Sequence, residues 1–132
     1  MKEATVRSKL ETVVRDVPIP TVTPGHVLIR VVVSGTNPKD WKLPLWHPIS
    51  NPTNQGDDIA GYVEAIGEGV FSFKKGDKVA AFHEVTQPHG SWAEYALAWE
   101  HTTFHLPETT SFEGDHFYYF PFSFSLISIS LL

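Results

Sequence analysis

The run His26-Val27-Leu28-Ile29-Arg30-Val31-Val32-Val33-Ser34 places five valines and isoleucines in nine positions, between Pro24-Gly25 and Gly35. Side chains branched at Cβ are stiff at χ1 and suit a pleated, extended backbone. The bounding turn residues set its length at that of a strand, and the same branching disfavours a buried helix. A run this apolar predicts a strand covered on both faces.

Working outward, Thr12-Val13-Val14-Arg15-Asp16-Val17 is a second β-branched run, and Pro18, Pro20, Pro24 and Gly25 punctuate the loop behind it. Beyond Ser34, residues 35–40 read as a turn. One short helical turn over 39–43 follows, with Asn37 as its cap and Pro38 at its first position. Residues 44–56 hold three prolines and read as a long loop. Ile59–Ile66 resumes strand character, and Gly61 within it marks a bulge or a close backbone approach. Gly67-Glu68-Gly69 and Lys74-Lys75-Gly76-Asp77 read as turns, Lys78–Phe82 and Thr102–Leu106 as short strands, and Ser91–Trp99 as strand or helix. Many short strands between Gly/Pro turns predict a mainly β barrel or sandwich.

Composition narrows the function. The chain has 132 residues, 10 basic against 15 acidic, a formal net charge of −5 and no cysteine. That length fits one domain. The missing cysteines exclude a disulfide scaffold, a thiolate zinc site and a catalytic thiol. The acidic balance argues against nucleic acid as a partner. No apolar signal core follows Lys2, so the expected location is cytoplasmic. The long uncharged run Phe117–Leu132 would make a helix of about 24 Å, short of a bilayer core of about 30 Å, so no membrane span is expected.

Chemistry-bearing residues gather behind the strongest strand. In Asn37-Pro38-Lys39-Asp40-Trp41-Lys42, Asn37 can donate and accept, Asp40 can act as a base or anchor a turn, and Lys42 can polarise a carbonyl or bind a phosphate. The plainer alternative is a capped turn with solvated lysines. Adjacent Asp57 and Asp58 point to opposite faces if extended, which predicts one buried structural aspartate and one exposed. His83-Glu84 and His101-x3-His105 have metal-like spacings, but the second lies on an expected strand, where an i, i+4 pair shares no helical face. Trp41, Trp46, Trp92 and Trp99 read as core or rim aromatics. Gly67-Glu68-Gly69 lacks the third glycine of a dinucleotide fingerprint.

The order of these motifs resembles the N-terminal GroES-like domain of the medium-chain dehydrogenase/reductase superfamily. The resemblance runs over about residues 5–113, and it is carried by Pro24–Val31, Asn37–Lys42, Gly56–Val63, Gly67–Val70, Phe73–Val79 and Gly90–Tyr95. Within the superfamily the chain is most similar to the zinc-independent quinone and enoyl reductases, particularly the fungal trans-acting enoyl reductases. The resemblance implies a GroES-like, partly open β-barrel with short helices over residues 1–113. It implies NADP(H) as cofactor and hydride transfer to a conjugated carbonyl: an enone, a quinone or a carrier-bound enoyl group. Asn37, Asp40 and Lys42 are the implied catalytic residues, with Trp41 supporting them, and Asn37, Pro38 and Lys39 the implied cofactor contacts. In zinc alcohol dehydrogenases a Cys-x-x-Asp element and a Gly-His-Glu element supply the metal. Asn37 stands here in place of the cysteine and Asp57 in place of the histidine, so no zinc is expected.

The chain departs from the family after Glu113. No glycine-rich Rossmann sequence follows; residues 114–132 instead form an apolar tail with four of the nine phenylalanines and no charge after Asp115. The reading that follows is a truncated reductase, inactive alone, whose tail is read-through of a pyrimidine-rich intron. The alternative is a non-catalytic binding module that docks, or self-associates, through the tail. Genomic sequence is the check: splice signals near Glu113 and a glycine-rich fingerprint in the spliced frame are expected, whereas an uninterrupted coding frame past Glu113 without such signals overturns the read-through.

Overall fold

The computed structural model describes residues 1–7, 10–47 and 51–112. The chain opens with a hairpin of β1 (Lys2–Val6) and β2 (Thr12–Asp16), antiparallel, with Ala4 opposite Val14. A five-stranded antiparallel sheet then forms from β3 (His26–Ser34), β4 (Asp58–Ile66), β5 (Lys78–Phe82), β6 (Tyr95–Trp99) and β7 (Thr103–His105), in the order β6-β3-β4-β5-β7. The sheet curls into a half-barrel of the GroES-like kind, and among the described residues one α-helix, α1 (Pro38–Trp46), lies between β3 and β4. Backbone bridges from Glu3 to Ala93 and from Val6 to Thr53 tie the hairpin to it. Among the described residues no helix is long and apolar enough to cross a membrane.

The expected strand His26–Ser34 is β3 to the residue. Its side chains explain its central place. Val27 and Ile29 are fully buried and meet Ile59, Val63, Val79, Ala81, Ala96 and Ala98 in the main core. The Val27 and Ile29 side chains each contribute about 1.5–3 kcal/mol on leaving water. Val33 packs on the other face with Ala60 and Ala80, backed by Leu106 and Phe112. Both faces are therefore covered at the two ends of β3, while Arg30 and Val32 between them are exposed.

The interruption is a bulge. Val31 pairs with Gly61 and Val33 with Ala60, which leaves Val32 as the extra residue. Gly61 is where the two backbones close up: a Cβ there would lie 2.1 Å from the Arg30 carbonyl oxygen. Both readings of Gly61, bulge and close approach, hold at once.

Other segments differ from expectation. The helix does not stop at residue 43; it runs through Pro44 to Trp46 and ends with the His47 N–H on the Leu43 carbonyl at 2.9 Å. Residues 44–46 are thus helical rather than loop. Proline lacks the N–H that would bond the Asp40 carbonyl, but Pro44 is buried, and that packing keeps the last turn in place. Ser91–Trp99 yields a strand only over Tyr95–Trp99, and Thr102 belongs to a 3₁₀ turn, Glu100–Thr102, ahead of β7. Local pattern does not mark β1, since Lys2-Glu3-Ala4-Thr5-Val6 is short and half polar. The tail, and every expectation placed on it, lies outside the described residues.

Gly61→Ala is expected to destabilise the fold by about 2–4 kcal/mol, since backbone rather than a flexible side chain must move. Urea unfolding followed by circular dichroism measures it; a variant as stable as the parent would mean that β3 and β4 are farther apart than described.

Candidate functional site

Antiparallel register brings the site together. Ser34 at the end of β3 pairs with Ile59, and Asp58 at the start of β4 pairs with Phe82 at the end of β5. The segments just beyond these ends therefore meet: Gly35–Asp40, Asn54–Asp57 and His83. Backbone bonds fix them, from Gly35 N–H to the Asp58 carbonyl at 3.1 Å and from His83 N–H to the Asp57 carbonyl at 2.8 Å. Asn54, buried, is the tie to residues 90–92. Its amide donates to the Gly90 carbonyl, and its oxygen accepts from the Gly56 and Trp92 N–H groups at 3.1 and 3.2 Å. Gly56 has no room for a side chain, since a Cβ would lie 2.4 Å from both Ser91 Oγ and Trp92 Cδ1.

Asn37 caps α1 from an extended conformation. Asp40, three residues on, accepts the Asn37 N–H on Oδ2 at 2.8 Å, which meets an otherwise unpaired helix-terminal donor. The Asn37 side-chain amide turns away and donates to Asp58 Oδ2.

Lys39 lies at the centre. Its ammonium is 2.8 Å from Asp40 Oδ1, 2.6 Å from Asp57 Oδ2 and 2.7 Å from the Gln55 carbonyl oxygen. Three oxygens match its three N–H donors. Asp40 and Asp57 are 4% and 2% exposed, and among the described residues their Lys39-facing oxygens have no partner besides the ammonium, which is what neutralises them. On its other oxygen Asp57 meets His83 Nδ1 at 3.2 Å, and His83 Nε2 lies 3.0 Å from the Pro88 carbonyl. Burial opposes the charge on Lys39, but hydrogen bonds to Asp40 and Asp57, and their charges, outweigh it and hold its pKa above the ordinary lysine value. Burial pushes the Asp40 carboxyl up against the opposing pull of Lys39 and the Asn37 N–H. Asp58 is likewise raised, by burial first, with Asp57 and Asp40 adding to it and Asn37 opposing.

Lys42 stands apart. Two residues along a helix do not share a face, and Lys42 makes no ion pair with Asp40. Its Nζ lies 5.3 Å from the centre of the Trp41 ring and 5.8 Å from that of Trp46, and among the described residues it has no carboxylate partner. Trp41 and Trp46 are 50% and 67% exposed, so Lys42 is framed by open indole surface.

Of the expected residues, Asn37, Lys39 and Asp40 thus converge with Asp57 and Asp58, Pro38 is exposed on the first turn, and Lys42 flanks them. Lys39 is not a solvated lysine. Asp58 is half-buried rather than exposed, and both aspartates reach the start of α1, because Asp57 precedes the strand and is not bound by its alternation. Sequence reasoning missed Asn54 and the pairing of His83 with Asp57; neither had a local signal, since both contacts cross more than 25 positions. His101 stacks on Trp99, whereas His105 turns to Asp77, so this pair does not act together.

The donors do not fit zinc. Asp57 has both oxygens engaged, the Asn37 amide is committed to Asp58, and the chain has no cysteine.

Comparisons bear on this arrangement. Residues 23–108 match a model of the alcohol dehydrogenase GroES-like domain. A trans-enoyl reductase of Gibberella fujikuroi is 50% identical over 113 residues, covering 86% of this chain and 33% of that protein. A quinone oxidoreductase of Rattus norvegicus is 39% identical over 100 residues, covering 74% and 30%. The crystal structure of an alcohol dehydrogenase superfamily protein from Novosphingobium aromaticivorans is 30% identical, with a TM-score of 0.75, over 84% of this chain and 36% of that one. The chain spans about a third of the length of the curated relatives it matches.

The Lys39 contacts carry a pH prediction. A lysine with a raised folded pKa contributes stability that is complete below its unfolded value and is lost as pH rises through the folded one. Above about pH 10.5 the urea midpoint of the parent is expected to fall more steeply than that of Lys39→Arg, whose charge persists. Parallel curves would show that Lys39 adds nothing through its charge.

Proposed function

The chain belongs to the alcohol dehydrogenase GroES-like domain family of the medium-chain dehydrogenase/reductase superfamily, and from that premise we propose that it forms the substrate-side wall of an NADPH-dependent enoyl or quinone reductase. The observation that carries this is the division of labour between the two lysines. Lys39 is consumed by Asp40, Asp57 and Gln55, while Lys42, without a carboxylate partner among the described residues, sits beside two exposed tryptophans. A conjugated carbonyl compound is planar and largely apolar, with one polar end. Trp41 and Trp46 offer it flat apolar surface, and Lys42 offers a cation to the oxygen on which negative charge gathers as hydride arrives.

In this reading Asn37 and Asp40 hold the first turn of α1 and so aim Lys42, and Pro38 and Asn37 border the nicotinamide end of NADP(H). The residues present fit that end only. When bound, the cofactor supplies the hydride. The pyrophosphate needs a helix N-terminus behind a glycine-rich turn, and the sequence holds no such fingerprint. The 132-residue chain by itself is accordingly proposed to be inactive.

The test is a chimera. The matched segment of the Gibberella fujikuroi trans-enoyl reductase is replaced by residues 1–112 of this chain, and NADPH oxidation with an enone is followed by absorbance. Turnover is expected from the chimera and none from the isolated chain. Lys42→Ala in the chimera is expected to lower kcat/KM by about 10–100-fold. A folded chimera without turnover, or turnover indifferent to Lys42, overturns the reading.

A further inference from the structure

The mismatch with zinc has a positive side. Three oxygens, Asp40 Oδ1, Asp57 Oδ2 and the Gln55 carbonyl, converge on one point at 2.6–2.8 Å, and the group at that point is a cation supplied by the chain itself. Both carboxylates are more than nine-tenths buried, and neither inward oxygen accepts another hydrogen bond. Two buried carboxylates facing each other are tenable only with positive charge between them. The cradle is also braced from outside: Asn37 N–H holds the far oxygen of Asp40, and His83 holds the far oxygen of Asp57.

We propose that Lys39 is the resident cation of this site, its ammonium filling an oxygen-lined cradle that would otherwise take a hard divalent ion. Carboxylate and carbonyl oxygens suit Mg²⁺, Ca²⁺ and Mn²⁺ rather than zinc. The lysine therefore does two things at once: it neutralises Asp40 and Asp57, and it closes the cradle to metal. Such a tether joins α1 to the segment ahead of β4 without dependence on metal supply. The inference stands on these contacts alone and survives if the reductase reading fails.

Mn²⁺ is the probe, because its solution paramagnetic resonance signal is lost on binding. The 132-residue parent and Lys39→Arg are expected to show no saturable binding. Lys39→Ala, which removes the ammonium and leaves room, is expected to bind one Mn²⁺ per chain and to gain about 5 °C or more in Tm with saturating metal. Adding Asp57→Asn to Lys39→Ala is expected to abolish both effects. If Lys39→Ala is unfolded alone, recovery of its circular dichroism on adding Mn²⁺ supports the proposal. A Lys39→Ala chain that ignores Mn²⁺, folded or unfolded, overturns it, as does a parent that binds Mn²⁺ equally well.

Discussion

The antiparallel pairing of β3 with β4 is the constraint on which the molecule is organised. It joins the two longest strands at the middle of the sheet, and it survives the bulge at Val32 because Gly61 lets the backbones close. Every other sheet element attaches to this pair directly or through β5. Its register also fixes which chain ends lie side by side. Ser34 beside Ile59, and Asp58 beside Phe82, deliver the segments after β3, before β4 and after β5 to one end of the sheet. The candidate site is a consequence of that pairing rather than a separate construction.

At that end the chemistry is settled by charge. Two buried carboxylates and one ammonium share a small volume, with the His83 imidazole within hydrogen-bond distance of Asp57, and the attachment of α1 follows from how the ammonium neutralises the carboxylates. The same cluster separates roles along six consecutive residues. Asn37 and Asp40 cap, Lys39 neutralises, and Lys42, beyond the turn, lies beside the rings of Trp41 and Trp46. Exposure of Trp41 and Trp46 is costly for an isolated surface and gains sense where a ligand or further protein covers them.

The legibility of the fold varied with the kind of signal. β3 was read to its end residues because β-branching, apolarity and bounding turns agreed. Gly61 was read correctly because a glycine in a strand has few other uses. The helix was cut short, since a proline at position 44 is a local stop signal that only packing overrides. The six ordered motifs identified the family where no single one would have done so. At the site, Asn37 as helix cap was visible from Asn37-Pro38, but the neutralisation of Asp57 by Lys39 was not, because the two are 18 positions apart.

The amino-acid sequence by itself determined the strands β3 to β5, the turns, the cap of α1 and the lack of thiolate ligands, all of which rest on the preferences of single residues and their near neighbours. Tertiary structure alone decided that Lys39 is the lysine consumed by the carboxylates, that Asp58 is half-buried, and that Asn54 and His83 belong to the site. Those outcomes depend on which charges share a desolvated space, and that is set by strand register across distant parts of the chain, not by local preference.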